Sequence, residues 1–169
     1  MLIKQRDKLF EMKSPEGLKF VYAEGKGLGL FADREFKGGE DVISFENTLV
    51  DRKHASIEAV QVDEDIYLDT EWLTPEAFIN HSCSPNTKLD VRLDQPTSAY
   101  VAVRDISKDE EITFNYLTTE YDMADGFTCA CGSPNCYHRI RGFKYLTHEQ
   151  QLELDPLLLP YLKEKLKEE

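Results

Sequence analysis

Asn80-His81-Ser82-Cys83-Ser84-Pro85-Asn86 is the stretch on which the reading of this chain turns. Four consecutive residues offer an amide, an imidazole, a hydroxyl and a thiol, and Pro85 ends any regular element there. A surface turn accounts for the serines, the proline and the asparagines. It does not account for the thiol, because the other three cysteines, Cys129, Cys131 and Cys136, cluster far downstream. Two further stretches flank this one, Lys26-Gly27-Leu28-Gly29 before it and Glu111-Ile112-Thr113-Phe114-Asn115-Tyr116 after it. The glycines of the first permit close backbone approach to a ligand, although a short glycine-rich run describes an ordinary β-turn equally well.

The surrounding pattern is mainly β. Residues 18–23, Asp41–Phe45, Val60–Val62, Ile66–Leu68, Tyr100–Val103 and Ile112–Tyr116 read as short strands rich in β-branched and aromatic residues. Turns fall at Gly25–Gly29, Gly38-Gly39, Asp63–Asp65 and Lys108–Glu110. Thr74-Pro75-Glu76 reads as the cap and first turn of a one-turn helix ending at the central stretch. The C-terminal part differs. Thr147 with Gln150 forms a capping-box pattern, and Pro156 and Pro160 divide the segment into short helices, the last over 161–167. Leu152, Leu154, Leu158, Leu162 and Leu166 are expected to pack inward.

With 169 residues and 41% hydrophobic content, the chain can bury a core without disulfides. No apolar run is long enough for a membrane helix, and the opening MLIKQRDKLF has no apolar leader, so the expected compartment is intracellular, cytoplasmic or nuclear. The formal charge is −12, with 20 basic against 32 acidic side chains. Much of the surplus lies in residues 35–76. Such a field repels polyphosphate, which disfavours direct nucleic-acid binding, and attracts cationic partners; a merely solvating surface is the plainer explanation.

Cys129-x-Cys131-x4-Cys136 offers three thiolates within one short loop, with Gly132 and Pro134 helping the chain turn. A closed structural zinc site takes four protein ligands. If Cys83 joins the other three, every thiol is used. Four free thiols, or a three-cysteine site completed by His138 or His81, are the alternatives.

Taken together, the three stretches and the cysteine loop resemble, in order and spacing, a SET domain followed by a zinc-binding post-SET segment, the catalytic core of protein-lysine methyltransferases. The resemblance spans about residues 25–142 and implies a fold of several small sheets with a pseudoknot-like active-site segment. It divides the chain into a SET unit over 1–127, a post-SET segment over 128–143 and a helical tail over 144–169. It implies S-adenosylmethionine lying against Lys26, Gly27, Leu28 and Gly29, with Asn80 binding the methionine amino group and His81 bracketing the adenine. Ile140 and Phe143 are the expected apolar cover of that ring, with Arg141 less suited. Zinc would sit on Cys83, Cys129, Cys131 and Cys136. Many relatives carry arginine where this chain has Ala77, so Lys26 or another group would have to meet the cofactor's carboxylate.

Methyl transfer to lysine needs a neutral amine, and at neutral pH a free lysine with a pKa of about 10.4 disfavours that form by roughly 4–5 kcal/mol. Apolar, aromatic walls beside a sulfonium recover much of this. The resemblance assigns Tyr116 as the hydroxyl that orients the amine, and Phe114 to the position that controls how many methyls fit. Phenylalanine there implies di- or trimethylation. Glu46 stands where many relatives place a channel tyrosine, either to meet the ammonium or to face solvent. The implied substrate is a basic peptide such as a histone-like tail. A catalytically silent SET-like binding module is the competing class, supported by Ala77 and Glu46; a nucleic-acid-binding zinc protein is opposed by the charge.

Overall fold

The computed structural model describes residues 13–56, 59–69 and 74–168. The expectations that rest on residues 1–12, the missing leader and the start of the SET unit, lie outside the described residues.

β1 (Leu18–Ala23) and β2 (Gly27–Ala32) form an antiparallel hairpin, running in register from Leu18↔Ala32 to Ala23↔Gly27. Gly25 holds a φ of +75° in its turn, a conformation that favours glycine. The turn is shorter than the sequence suggests. Gly27, Leu28 and Gly29 lie in β2, because the ladder to Val21, Tyr22 and Ala23 continues through them.

β3 (Asp41–Glu46), β8 (Thr87–Asp90) and β9 (Thr97–Ala102) make an antiparallel sheet in the order β3-β9-β8. Ser98 to Ala102 of the central strand are all buried, so β9 reads as a continuous run rather than an alternation. β4 (Leu49–Asp51), β5 (Val60–Gln61) and β6 (Ile66–Leu68) form a second three-stranded sheet in the order β4-β6-β5. The expected architecture of several small sheets is the one observed.

The central stretch begins as β7 (Asn80–His81), which pairs in parallel with β10 (Thr113–Phe114). Parallel neighbours need a long crossover, and here β8 and β9 supply it. Asn86 fastens the crossover from inside. Its Nδ2 donates to the Glu111 carbonyl at 2.8 Å and to Glu110 Oε1 at 2.9 Å, while its Oδ1 accepts the Thr113 N–H at 2.9 Å. Asn86 is 1% exposed, so Asn86→Ala strands a buried N–H and C=O together. Urea unfolding is expected to show a loss of about 2–4 kcal/mol, against about 1 for a neutral, solvent-repaired bond.

The strand expected over Ile112–Tyr116 is only two residues long. Asn115 leaves it, its side chain accepting the Leu117 N–H at 3.0 Å, and caps a 3-10 turn over Tyr116–Thr118. Another 3-10 turn covers Pro75–Phe78 as expected, but the Thr74 hydroxyl makes no capping bond to it. β11 (Phe127–Thr128) and β12 (Arg139–Ile140) pair antiparallel and close the cysteine loop between them.

The tail forms α1 (His148–Leu154), a 3-10 turn (Asp155–Leu157) and α2 (Pro160–Glu168). Both halves of the Thr147–Gln150 capping box are present. Leu154, Leu158, Leu162 and Leu166 are buried, whereas Leu152 is 52% exposed: a seven-residue helix turns only one narrow face to the core. The tail is tied to the 3-10 turn after β10 by Leu159 N–H to the Thr118 carbonyl (3.2 Å) and by the Tyr161 hydroxyl to the Thr119 carbonyl.

Candidate active site

β2, β7 and Glu111, two residues before β10, meet at one point. Asn80 Nδ2 donates to Glu111 Oε1 at 3.0 Å and faces the Leu28 carbonyl at 3.4 Å. The Lys26 ammonium pairs with Glu111 Oε2. A Cβ on Gly29 would stand 2.6 Å from Asn80 Nδ2 and 3.2 Å from Glu111 Oε1, so this convergence requires glycine there. Glu111 opens the Glu111–Tyr116 stretch, but sequence reasoning assigned no role to its carboxylate, which follows directly on the polar turn Lys108–Glu110. Its pairing also alters the expectation for Lys26, whose ammonium is already engaged by a carboxylate of this chain.

From this point an aromatic run leads through the molecule. Phe114 lies between Tyr100 (ring centroids 4.9 Å) and Tyr116 (4.7 Å), Tyr116 meets Phe127 (6.0 Å), and Phe45 meets Tyr100 (5.7 Å). Although Tyr116 lies outside the strand, the 3-10 turn keeps its ring against Phe114. The Tyr116 hydroxyl donates to the Ile79 carbonyl at 3.0 Å. Burial, then the charges of Glu111 and Glu120, hold this phenol protonated well above its ordinary range.

His81 joins the phenol to the cysteines. Its Nδ1 accepts the Tyr116 N–H at 3.1 Å, which places its proton on Nε2, 3.3 Å from Cys83 Sγ. Burial, then the Lys26 charge, lowers its pKa to about 4, so the ring is neutral. The sulfurs of Cys83, Cys129, Cys131 and Cys136 all lie within 4.8 Å of one another. The Cys83–Cys129 separation is 3.8 Å. Tetrahedral zinc with Zn–S bonds of about 2.3 Å needs an S···S edge of about 3.8 Å. Backbone N–H groups support the set: Tyr137 to Cys83 (3.4 Å), Cys131 to Cys129 (3.4 Å) and His138 to Cys136 (3.3 Å). Donors of this kind orient and stabilise metal-bound thiolates. The donor set therefore fits zinc, with His138 and His81 outside it.

Glu120 was also missed by sequence reasoning. Its Oε1 accepts the Gln61 N–H at 2.8 Å, and burial raises its pKa to about 7 from an ordinary 4.5. A carboxyl raised in the folded state binds its proton more tightly there. Stability is therefore greatest below the ordinary value and falls as pH climbs to about 7, by roughly 3 kcal/mol. Urea midpoints between about pH 5 and about pH 8 should show this fall in the wild type and a flatter profile in Glu120→Gln.

The remaining expected residues are placed as follows. Ile140 (0% exposed) and Phe143 (1%) are part of the buried core, Arg141 is exposed with its guanidinium 4.3 Å from the Tyr145 ring centroid, and Glu46 is exposed at the end of β3. Ala77 lines a cavity of about 10 Å³ with Glu76 and Tyr100, about the size of one water. A larger cavity of about 460 Å³ lies between β8 and the C-terminal tail and contains none of the motif residues.

A glycine-backed amide–carboxylate cluster, a part-buried phenol and a four-thiol site thus sit on one small-sheet scaffold. The SET domain model matches residues 27–117, more than half of the chain, and the chain belongs to that family. Among curated proteins it is 32% identical over 149 residues to "Histone-lysine N-methyltransferase, H3 lysine-36 specific" of Candida albicans, covering 79% of this chain and 18% of that protein. It is 25% identical over 150 residues to "Histone-lysine N-methyltransferase ASHH3" of Arabidopsis thaliana, covering 79% and 41% respectively. The chain therefore spans well under half the length of these relatives. In fold it matches KRYPTONITE in complex with mCHG DNA and SAH, with a TM-score of 0.63 at 19% identity, over 76% of this chain and 30% of that one. A second KRYPTONITE structure, with mCHH DNA, an H3(1-15) peptide and SAH, matches with a TM-score of 0.59.

Proposed function

We propose that this chain transfers a methyl group from S-adenosylmethionine to the ε-amine of lysine in a protein, with a zinc ion on Cys83, Cys129, Cys131 and Cys136 fastening the post-SET segment. The observation that carries the reading is the parallel pairing of β7 with β10, with the Asn80–Glu111 contact and the bond from the Tyr116 hydroxyl to the Ile79 carbonyl beside it. The names of the relatives and the SAH in the KRYPTONITE complexes support it.

S-adenosylmethionine supplies an electrophilic methyl on a sulfonium. Asn80, Glu111 and the β2 backbone at Gly27–Gly29 would receive its amino-acid end, and the Lys26–Glu111 pair would adjust to its carboxylate. His81, neutral and bonded to both Tyr116 and Cys83, fixes the turn that carries the phenol. Because the Tyr116 hydrogen is committed to the Ile79 carbonyl, the oxygen's lone pairs are left to accept an N–H of the incoming amine and align its own lone pair. Phe114, Tyr100 and Phe127 exclude water, which favours the neutral amine.

A basic peptide, such as a histone-like tail, is the proposed substrate. Exposed Glu35, Glu46, Asp51, Asp63, Glu64 and Asp65 supply negative charge that favours a cationic partner. Phe114 lacks the hydroxyl that would hold a water beside the amine, so di- or trimethyl-lysine is the proposed product. Phe114→Tyr is then expected to shift the product ladder towards monomethyl-lysine by mass spectrometry, and an unchanged ladder would reject the size argument.

The reading is tested by incubating the chain with methyl-labelled S-adenosylmethionine and core histones. Label on lysine Nζ is the expected result. Cofactor binding without label would instead define a silent binding module.

A further inference from the structure

The chemistry above gives the C-terminal tail no task. Residues 144–169 lie outside the stretch that the SET domain model matches, 27–117. They nevertheless reach the 3-10 turn that carries Tyr116. A helical turn leaves its last carbonyls without partners of its own, and an unpaired carbonyl away from water is costly. Thr118 and Thr119, at the end of this turn, are both buried. The tail meets both carbonyls: the Leu159 N–H donates to that of Thr118 at 3.2 Å, and the Tyr161 hydroxyl donates to that of Thr119.

The front of the same turn is held by other elements. His81 Nδ1 accepts the Tyr116 N–H at 3.1 Å, and the Asn115 side chain accepts the Leu117 N–H at 3.0 Å. Thr119 joins front to back. Its N–H donates to the Tyr116 carbonyl at 3.2 Å, while its own carbonyl accepts from Tyr161. A shift of Thr119 is therefore passed through one hydrogen bond to the residue that bears the phenol.

On its other side the tail faces space. The cavity of about 460 Å³ is lined by residues 156–161 together with Lys88, Leu89 and Asp90 of β8. A segment backed by a void has few partner atoms there to fix its place. The tail is set instead by its buried side chains Leu158, Leu162 and Leu166 and by its two bonds to the turn.

Resting on the proposed function, we propose that Tyr161 is a positioning residue for methyl transfer. Its hydroxyl, through Thr119, holds the turn so that the Tyr116 oxygen stays aligned with the incoming amine. Tyr161 acts on the phenol and not on substrate or cofactor. Alignment is where such a residue has leverage, because a displacement of about 1 Å at the reacting atoms costs about 100-fold in rate. The tail is then part of the catalytic unit.

Tyr161→Phe removes one oxygen and keeps the ring. Leu166→Ala is its control, since Leu166 is a buried apolar residue of α2 whose side chain offers no polar atom to the turn. Both are made in the full chain and read in two ways. Amide exchange is followed with zinc and S-adenosylhomocysteine present, and turnover is followed with S-adenosylmethionine and core histones. Tyr161→Phe is expected to speed exchange at residues 117–120 by about 10-fold. It is expected to lower kcat by about 10- to 100-fold with the KM for S-adenosylmethionine unchanged. Leu166→Ala is expected to lower the urea midpoint at least as far while keeping near wild-type kcat and near wild-type exchange at 117–120. Wild-type kcat in Tyr161→Phe overturns the proposal, whatever the exchange shows. Equal losses of kcat in the two variants overturn it too, because the tail would then serve stability alone. Should the wild type label no histone, the methyltransferase reading fails and exchange decides the role of Tyr161: faster exchange at 117–120 confined to Tyr161→Phe upholds its hold on the turn, and unchanged exchange removes it.

Discussion

Cys83→Ser is expected to give a protein that no longer retains zinc and whose loop residues 129–138 exchange their amide hydrogens freely. Cys83 is 2% exposed and belongs to the central stretch, whereas Cys129, Cys131 and Cys136 belong to the loop between β11 and β12. Apart from the metal, the loop is held to the stretch by contacts such as Ser82 Oγ to Ser133 Oγ and Asn135 Nδ2 to the Cys83 carbonyl, each 3.4 Å. These are long, part-buried bonds, each contributing about 1 kcal/mol. A four-thiolate zinc site contributes on the order of 10 kcal/mol to the order of its ligand segment, so the metal dominates. The effect should reach the chemistry, because the Phe127 ring packs on both His81 (5.6 Å) and Tyr116 (6.0 Å). Zinc content and hydrogen exchange check this together. Full metal content with protected amides in 129–138 would show that Cys83 is not a ligand.

Tyr116→Phe carries the largest expected effect on rate. The substitution keeps the ring contacts to Phe114, His81 and Phe127 and removes one oxygen. Losing a single preorganised polar group at the reacting centre costs about 100- to 1000-fold in kcat. The Ile79 carbonyl loses its donor, which costs stability about 1–3 kcal/mol, but no group of the Asn80–Glu111 cluster is touched. Stopped turnover with near wild-type calorimetric affinity for S-adenosylmethionine is the expected pattern. A large loss of affinity would mean that the phenol holds cofactor rather than amine.

The pattern around Asn80–Asn86 was legible in the sequence because it concentrates chemistry that a turn does not need, and its cysteine has partners only in the loop after Phe127. The strands, too, could be read from local composition, since short β-branched runs between turn residues leave few alternatives. What could not be read is where charge becomes buried. Glu111 and Glu120 sit in stretches that look solvated, and only tertiary packing puts one against Asn80 and Lys26 and the other against Gln61 of β5. The 3-10 turn at Tyr116 was hidden for a similar reason: Asn115 caps it with a side chain, whereas the residue pattern alone continues a strand. Ile140 and Phe143, expected as a cover for the adenine, are both buried, and Gln151 of α1 donates to the Phe143 carbonyl at 3.4 Å.

The most direct measurement is a crystal structure of the chain grown with zinc and S-adenosylhomocysteine. One zinc on the four cysteines, the amino-acid end of the ligand beside Asn80 and Gly29, and its sulfur facing the Tyr116 hydroxyl are the expected result. Ligand bound instead in the cavity between β8 and the C-terminal tail, with the Asn80–Glu111 contact undisturbed, would contradict it.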